Sequence, residues 1–177
     1  LDRGYKKTQE FGLTLSESDK YWGLALGGLE TGESPLTMAA AYGVFASGGY
    51  YYQPHLITKI VDSTGAVIVD NTSVKGKQVI SKETADKMTS MMLGTFSNGT
   101  GVSASPYGFT IAGKTGTTET NFDLSKVNDQ WIVGYTPDLV ISTWLGFEQT
   151  SAEHYLTGTS GQVVGKIFKA EAESLLP

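Results

Sequence analysis

Apolar residues recur every three or four positions in three stretches of the chain, which is the spacing of one face of an α-helix. The patterns predict helices over residues 35–47, 82–95 and 162–176. The first has the clearest start, because Ser34 is a suitable N-cap and Pro35 suits the first helical position. On the second helix, Ser81 is the predicted N-cap, and the predicted buried side comprises Met88, Met91, Met92 and Thr95. Residues 1–34 are predicted to be irregular, apart from a short helix over Ser18–Leu26.

Runs rich in β-branched and aromatic residues predict strands. Three of them follow one another in the C-terminal half of the chain: Thr110–Thr118, Gln130–Tyr135 and Leu139–Phe147. The turn residues Pro137-Asp138 separate the last two, so these strands should form an antiparallel hairpin. A second hairpin is predicted from residues 54–61 and 66–69.

The order of these elements predicts the fold class. Two helices precede three consecutive strands and one helix follows them, which is typical of an α+β fold with an antiparallel sheet and flanking helices. We expect the strand over residues 110–118 to border a cleft. The sequence contains no internal repeat and no linker-like run, so one unit is predicted.

Composition excludes several classes of function. The 177 residues are 40% apolar and 18% charged, with a net charge of −5 and no long basic run, which argues against nucleic acid as a partner. No stretch approaches the roughly 20 apolar residues of a membrane span. Because cysteine is absent, thiol chemistry and cysteine-based zinc sites are excluded. The chain begins at Leu1 rather than Met, so we expect a piece of a longer protein.

One segment, residues 108–118, matches two incompatible motifs. Its first eight residues fit the phosphate-binding pattern G-x-x-x-x-G-K-[ST], and Lys114-Thr115-Gly116 fits the K-T-G element of serine acyl-transfer enzymes. A phosphate-binding loop needs a buried strand before it and a helix after it. Here residues 97–107 have loop composition, and Thr115, Gly116 and Thr117 open a helix poorly. The nucleotide-binding interpretation is therefore disfavoured.

The wider sequence resembles the C-terminal half of the transpeptidase domain of class A penicillin-binding proteins. The resemblance runs nearly end to end, and a lone K-T-G would be far less specific. It rests on six ordered segments: Ala25–Gly32, Ser34–Tyr42, Phe45–Gly49, Gly99–Gly101, Ala112–Thr118 and Trp131–Leu139. It implies the back half of a serine β-lactamase/penicillin-binding transpeptidase fold, and residues 1–177 are interpreted as the C-terminal portion of one such domain.

The chain departs from the family pattern in one respect. These enzymes carry an S-x-x-K nucleophile motif and an S-x-N motif before K-T-G. No serine here has Lys three positions later or Asn two positions later. We therefore expect the catalytic serine and its base on a preceding, N-terminal part of the same domain, and the chain alone to be catalytically silent.

The resemblance assigns roles to five residues of the K-T-G segment. Lys114 and Thr117 are predicted to be catalytic, the lysine as a cation and the threonine through its backbone N–H in an oxyanion hole. Substrate contacts are predicted for Lys114, Thr115, Gly116, Thr117 and Thr118. The implied partners are peptidoglycan stem peptides and β-lactam antibiotics, with no cofactor and no metal. The implied location is the extracytoplasmic face of the bacterial cell membrane, with any anchor outside this chain.

Three alternatives remain open at this point. The first is a fragment of a D,D-carboxypeptidase or β-lactamase-type serine hydrolase, which the Ala25–Tyr42 match disfavours. The second is the P-loop nucleotide-binding protein considered above. The third is a non-enzymatic envelope domain that retains the fold.

Overall fold

The computed structural model describes residues 1–176 and has the predicted α+β organisation. The helices are α1 (Asp2–Glu10), α2 (Pro35–Ala46), α3 (Lys82–Met92), α4 (Gly94–Ser97) and α5 (Val164–Leu175). The strands are β1 (Tyr50–Tyr51), β2 (Lys59–Val61), β3 (Val67–Asp70), β4 (Lys77–Gln78), β5 (Ala112–Glu119), β6 (Val127–Tyr135) and β7 (Val140–Gly146). None of the helices in this described part is long and apolar enough to cross a membrane.

The three longest strands form one antiparallel sheet in the order β5-β6-β7. Lys114 pairs with Val133, and Trp131 pairs with both Gly116 and Trp144. Strand β6 is therefore central, and within residues 1–176 both β5 and β7 keep one edge without a strand partner. The sheet and the β6–β7 hairpin are confirmed as predicted.

One face of the sheet packs against α5. Phe168, Val164 and Ala172 of this helix are fully buried, in a cluster with Ile132 of β6 and Ile141 of β7. Burying a large apolar side chain contributes roughly 1.5–3 kcal/mol, so this layer is a main source of stability.

The opposite face is covered at one end by α2 and α3. Ala112 and Tyr135 are buried there together with Met92, and the half-buried rings of Tyr42 and Phe45 pack against them. The two faces are thus covered by different helices, and the sheet lies between them.

The helix starts follow the sequence closely. Ser34 Oγ accepts a hydrogen bond from the Thr37 amide at 3.1 Å, and Ser81 Oγ accepts one from the Thr84 amide at 3.2 Å. Each bond satisfies an amide that the first helical turn leaves free. Both predicted N-caps are confirmed, as is the hairpin of β2 and β3.

Several local predictions were wrong. Residues 2–10 form α1, although only Tyr5 of this helix is buried, so the apolar pattern was too weak to reveal it. The helix expected over Ser18–Leu26 is two short 3₁₀ turns. The second predicted helix ends at Met92, and Met91 is 65% exposed rather than buried.

Candidate active site

The segment Lys114–Thr118 lies within β5, an outer strand of the sheet. Lys114, Thr117 and Thr118 are exposed, Gly116 is half-buried and Thr115 is buried. Since no helix begins at Lys114-Thr115, the phosphate-binding interpretation is wrong. The extended backbone required by the K-T-G interpretation is present.

The alternation of side chains along β5 divides the segment between two faces. Lys114 and Gly116 lie on the face of Trp131, and a Cβ at Gly116 would be 3.3 Å from the Trp131 Cβ. Thr115 and Thr117 lie on the opposite face, above the layer that includes α5. A ligand at the open edge of the strand would therefore meet groups from both faces.

The ammonium of Lys114 remains at the surface. Its Nζ donates to the backbone carbonyl of Thr115 at 2.7 Å. Among residues 1–176, no carboxylate forms an ion pair with Lys114. The positive charge is thus not neutralised by an acidic side chain of the described part, which suits it to an anionic ligand.

Helix α4 and the segment after it support the face of β5 that carries Thr115. Thr100 and Thr115 share a hydroxyl–hydroxyl hydrogen bond of 2.5 Å, and Thr95 Oγ1 donates to the Gly113 carbonyl at 2.6 Å. Thr115, expected to contact substrate, is 8% exposed and holds this hydroxyl pair. The Gly99–Gly101 segment of the family match therefore lies directly beneath the K-T-G strand.

A second support comes from the segment between β7 and α5. Ser160 Oγ lies 2.6 Å from Thr117 Oγ1 and also donates to the Gly116 carbonyl. Gln130, fully buried, holds the same segment by donating to the carbonyls of Thr157 and Gly158, each at 3.1 Å. Sequence reasoning missed both Ser160 and Gln130. The sequence did contain a signal for Gln130, which is a polar residue at an inward position of an apolar strand. It contained none for Ser160, because its partner Thr117 is 43 residues away along the chain.

The far end of the K-T-G segment is tied to both other strands. Thr118 Oγ1 donates to the Asp129 carboxylate at 3.0 Å, and Trp144 Nε1 donates to the same carboxylate at 2.9 Å. One side chain on β6 thus joins β5 to β7. Thr120, just beyond this segment, is buried, and its hydroxyl donates to the Asp123 carbonyl within the β5–β6 turn.

A cavity of about 470 Å³ lies near the other end of the sheet, beside Ala112 and Tyr135. It is bordered by α2 and α3, and none of the residues Lys114–Thr118 lines it. Within the described residues, no group of three or more His, Cys, Asp or Glu side chains is arranged to hold a metal ion.

Comparison with known proteins gives consistent matches. Residues 5–171 match the family model described as the penicillin binding protein transpeptidase domain. Penicillin-binding protein 2a of Streptococcus pneumoniae is 47% identical over all of this chain, which covers 24% of that protein. Penicillin-binding protein 1F of Bacillus subtilis is 40% identical over 85% of the chain, which covers 21% of that protein. The chain thus spans about a quarter of the length of these relatives.

Solved structures agree with this result. The penicillin-binding protein PonA1 of Mycobacterium tuberculosis superposes with a TM-score of 0.74 at 31% identity, over 92% of this chain and 44% of that one. A second structure of PonA1, in complex with penicillin V, gives a TM-score of 0.72. The resemblance drawn from the motifs is confirmed, and the alternatives are not favoured. The chain belongs to the penicillin-binding protein transpeptidase domain family.

Proposed function

We propose that this chain forms the K-T-G wall of the acyl-transfer site in a peptidoglycan D,D-transpeptidase. The observation that carries the proposal is the placement of Lys114–Thr117 on an extended outer strand, with the ammonium free of acidic partners in the described part. The family membership, which covers residues 5–171, supports it.

The reaction would proceed by serine acylation. A serine hydroxyl attacks the carbonyl between two terminal D-alanines, the C–N bond breaks, and the departing D-alanine amine takes up the proton. An amine of a second stem peptide then attacks the acyl-enzyme ester, which releases the serine and forms the cross-link. No serine of this chain lies in an S-x-x-K sequence, so we place the nucleophile on a preceding part of the same domain.

Each residue of the segment has a physical role in this proposal. Lys114 would attract the substrate's terminal carboxylate through a charge-assisted contact, with the exposed Thr117 and Thr118 beside it. The Thr117 backbone N–H would donate to the developing oxyanion, a contact whose loss typically costs about 2.7–4 kcal/mol of transition-state stabilisation. Gly116 would leave room for the substrate on the face that it shares with Lys114.

Thr115 would act mainly by holding β5 in position and less by contacting the substrate. Its hydroxyl pairs with Thr100, so it would reach a substrate carboxylate only by turning its proton away from that pair.

β-Lactams carry a carboxylate that corresponds to the terminal carboxylate of the peptide substrate. They acylate the serine when the ring C–N bond opens and the ring nitrogen takes the proton. The PonA1 complex with penicillin V supports β-lactam binding.

The proposed partner of this chain is the remaining N-terminal part of the transpeptidase domain. Two large apolar side chains are strongly exposed in or just before the Ala25–Gly32 segment: Trp22 is 79% exposed and Leu26 is 93% exposed. Such apolar side chains are more stable when another part of the protein covers them than when they are exposed to water. Gel filtration of the isolated chain should therefore show association or aggregation, and a stable monomer would count against this partner.

We propose that the whole protein works at the extracytoplasmic face of the bacterial cell membrane, where stem peptides occur.

The function is tested by labelling the complete protein with a fluorescent penicillin. Wild-type protein should form a covalent adduct, and Lys114→Ala should label far more slowly because the carboxylate loses its cation. Lys166→Ala removes another exposed lysine, on α5, and serves as the matched control. Equal labelling of all three proteins would refute the role of Lys114. No labelling of the wild type would favour a non-enzymatic envelope domain.

A further inference from the structure

Ser160 makes direct contact with the peptide group that joins Gly116 to Thr117. The side chain is 1% exposed and lies under β5, in the segment between β7 and α5. Its hydroxyl contacts the Gly116 carbonyl and Thr117 Oγ1, and its backbone N–H points to Thr117 Oγ1 at 3.4 Å. The hydroxyl of this buried serine is thus directed at two residues of the K-T-G segment.

Counting protons fixes the direction of these hydrogen bonds. A serine hydroxyl has one proton, and a carbonyl oxygen only accepts. The Ser160 proton therefore lies on the bond to Gly116, and Thr117 donates its own proton to Ser160. The result is a short series of hydrogen bonds that runs from the Thr117 hydroxyl through Ser160 to the Gly116 carbonyl.

This series of hydrogen bonds ends on the peptide unit that carries the Thr117 N–H. The carbonyl of Gly116 and the N–H of Thr117 belong to one planar, resonance-stabilised amide. A hydrogen bond accepted by the carbonyl polarises that amide, and bonds arranged in a chain strengthen one another. The N–H of Thr117 consequently becomes a stronger donor and is held in a fixed direction.

We infer that Ser160 is a positioning residue for the oxyanion hole. It acts by polarising and orienting the Gly116–Thr117 peptide, and it does not touch the substrate. The inference rests on the proposed function, because it assigns a purpose to the Thr117 N–H in acyl transfer.

The competing explanation is that Ser160 only holds its own segment in place. A matched control exists in Ser103, whose hydroxyl donates to the carbonyl of the adjacent Gly161 at 2.6 Å. Ser103→Ala removes a partly buried hydrogen bond from the same segment but leaves both Ser160 contacts intact. A purely structural role predicts similar effects for Ser103→Ala and Ser160→Ala.

The test uses the complete transpeptidase and benzylpenicillin labelled with ¹³C at the β-lactam carbonyl. In the acyl-enzyme, the infrared frequency of the labelled ester carbonyl reports the strength of the oxyanion-hole hydrogen bonds. Ser160→Ala should move this band to higher wavenumber and slow acylation at saturating penicillin about fivefold, the worth of one ordinary hydrogen bond. Ser103→Ala should leave the band at the wild-type position.

Ser160→Cys guards against a folding failure of the alanine variant. Its thiol keeps the shape of the side chain but donates weakly, so its band should lie between those of wild type and Ser160→Ala. Unchanged bands in the Ser160 variants, or equal shifts in Ser103→Ala, would overturn the inference while leaving the proposed function intact. A wild-type protein that penicillin does not acylate would overturn both.

Discussion

The indole Nε1 of Trp144 donates a 2.9 Å hydrogen bond to the carboxylate of Asp129, one strand away. Thr118 Oγ1 donates to the same carboxylate at 3.0 Å, so one side chain joins all three strands of the sheet. The joint lies at the end of the K-T-G segment, where the β5–β6 register shifts between Thr118 and Glu119. It therefore limits how far the end of the segment can move.

Replacing this carboxylate should loosen the sheet. We expect Asp129→Ala to lower the stability of the complete domain by about 1–2 kcal/mol, because three hydrogen bonds to a charged but partly exposed group, from Thr118, Trp144 and Asn128, are lost. Thermal unfolding followed by tryptophan fluorescence would measure the change. Asp138→Ala removes an exposed carboxylate from the β6–β7 turn and should have little effect. Equal losses in the two variants would contradict the role given to Asp129.

Gly113 has no room for a side chain. A Cβ at this position would lie 2.0 Å from the Val133 carbonyl oxygen and 2.8 Å from the Gly134 Cα, and both are backbone atoms of β6. Gly113→Ala should therefore separate β5 from β6 and cost about 4 kcal/mol or more. The measurement is the yield of soluble, folded protein; a normally folded variant would show that the two strands tolerate separation.

Gly116 should respond differently, because a Cβ there would be 3.3 Å from the Trp131 Cβ, which is tight but not prohibitive. We expect Gly116→Val in the complete enzyme to fold and to lose penicillin acylation, since the new side chain shares the face of Lys114. Melting temperature and fluorescent penicillin labelling, measured on the same preparation, separate the two effects. Normal labelling of a folded variant would refute the steric role of Gly116.

Asp19 should make stability depend on acid pH. Its carboxylate accepts hydrogen bonds from the backbone amides of Glu30, at 2.7 Å, and Ser16, at 2.8 Å. These bonds hold the pKa of Asp19 below its usual value. Because the pKa is lower in the folded state than in the unfolded state, the stabilisation is present above about pH 4 and is lost as pH falls through the folded-state pKa.

The corresponding experiment compares melting temperatures across this acid range. Wild-type protein should lose stability as Asp19 takes up its proton. Asp19→Asn should be less stable near neutral pH and should show a smaller further loss in acid. A variant whose acid profile runs parallel to the wild type would show that Asp19 contributes no pH dependence.

Local sequence rules succeeded where a residue's neighbours along the chain decide its structure. Ser34, Pro35 and Ser81 start helices through contacts within one turn, and the Pro137-Asp138 turn produces the β6–β7 hairpin. The rules failed where burial is sparse, as in α1, which buries only Tyr5. They also failed at Met91, because helical spacing alone does not show how wide the buried stripe of a helix is.

The sequence by itself determined the family, the α+β class and the strand that carries Lys114 to Thr118, because ordered motifs and side-chain periodicity are properties of the chain. Only the tertiary structure decided which groups stand behind that strand. Thr100 under Thr115, Ser160 under Gly116 and Thr117, and Asp129 between Thr118 and Trp144 are pairings across 11 to 44 residues. Hydrogen bonds of this kind depend on distances of about 3 Å that arise only once the sheet and its flanking segments are packed.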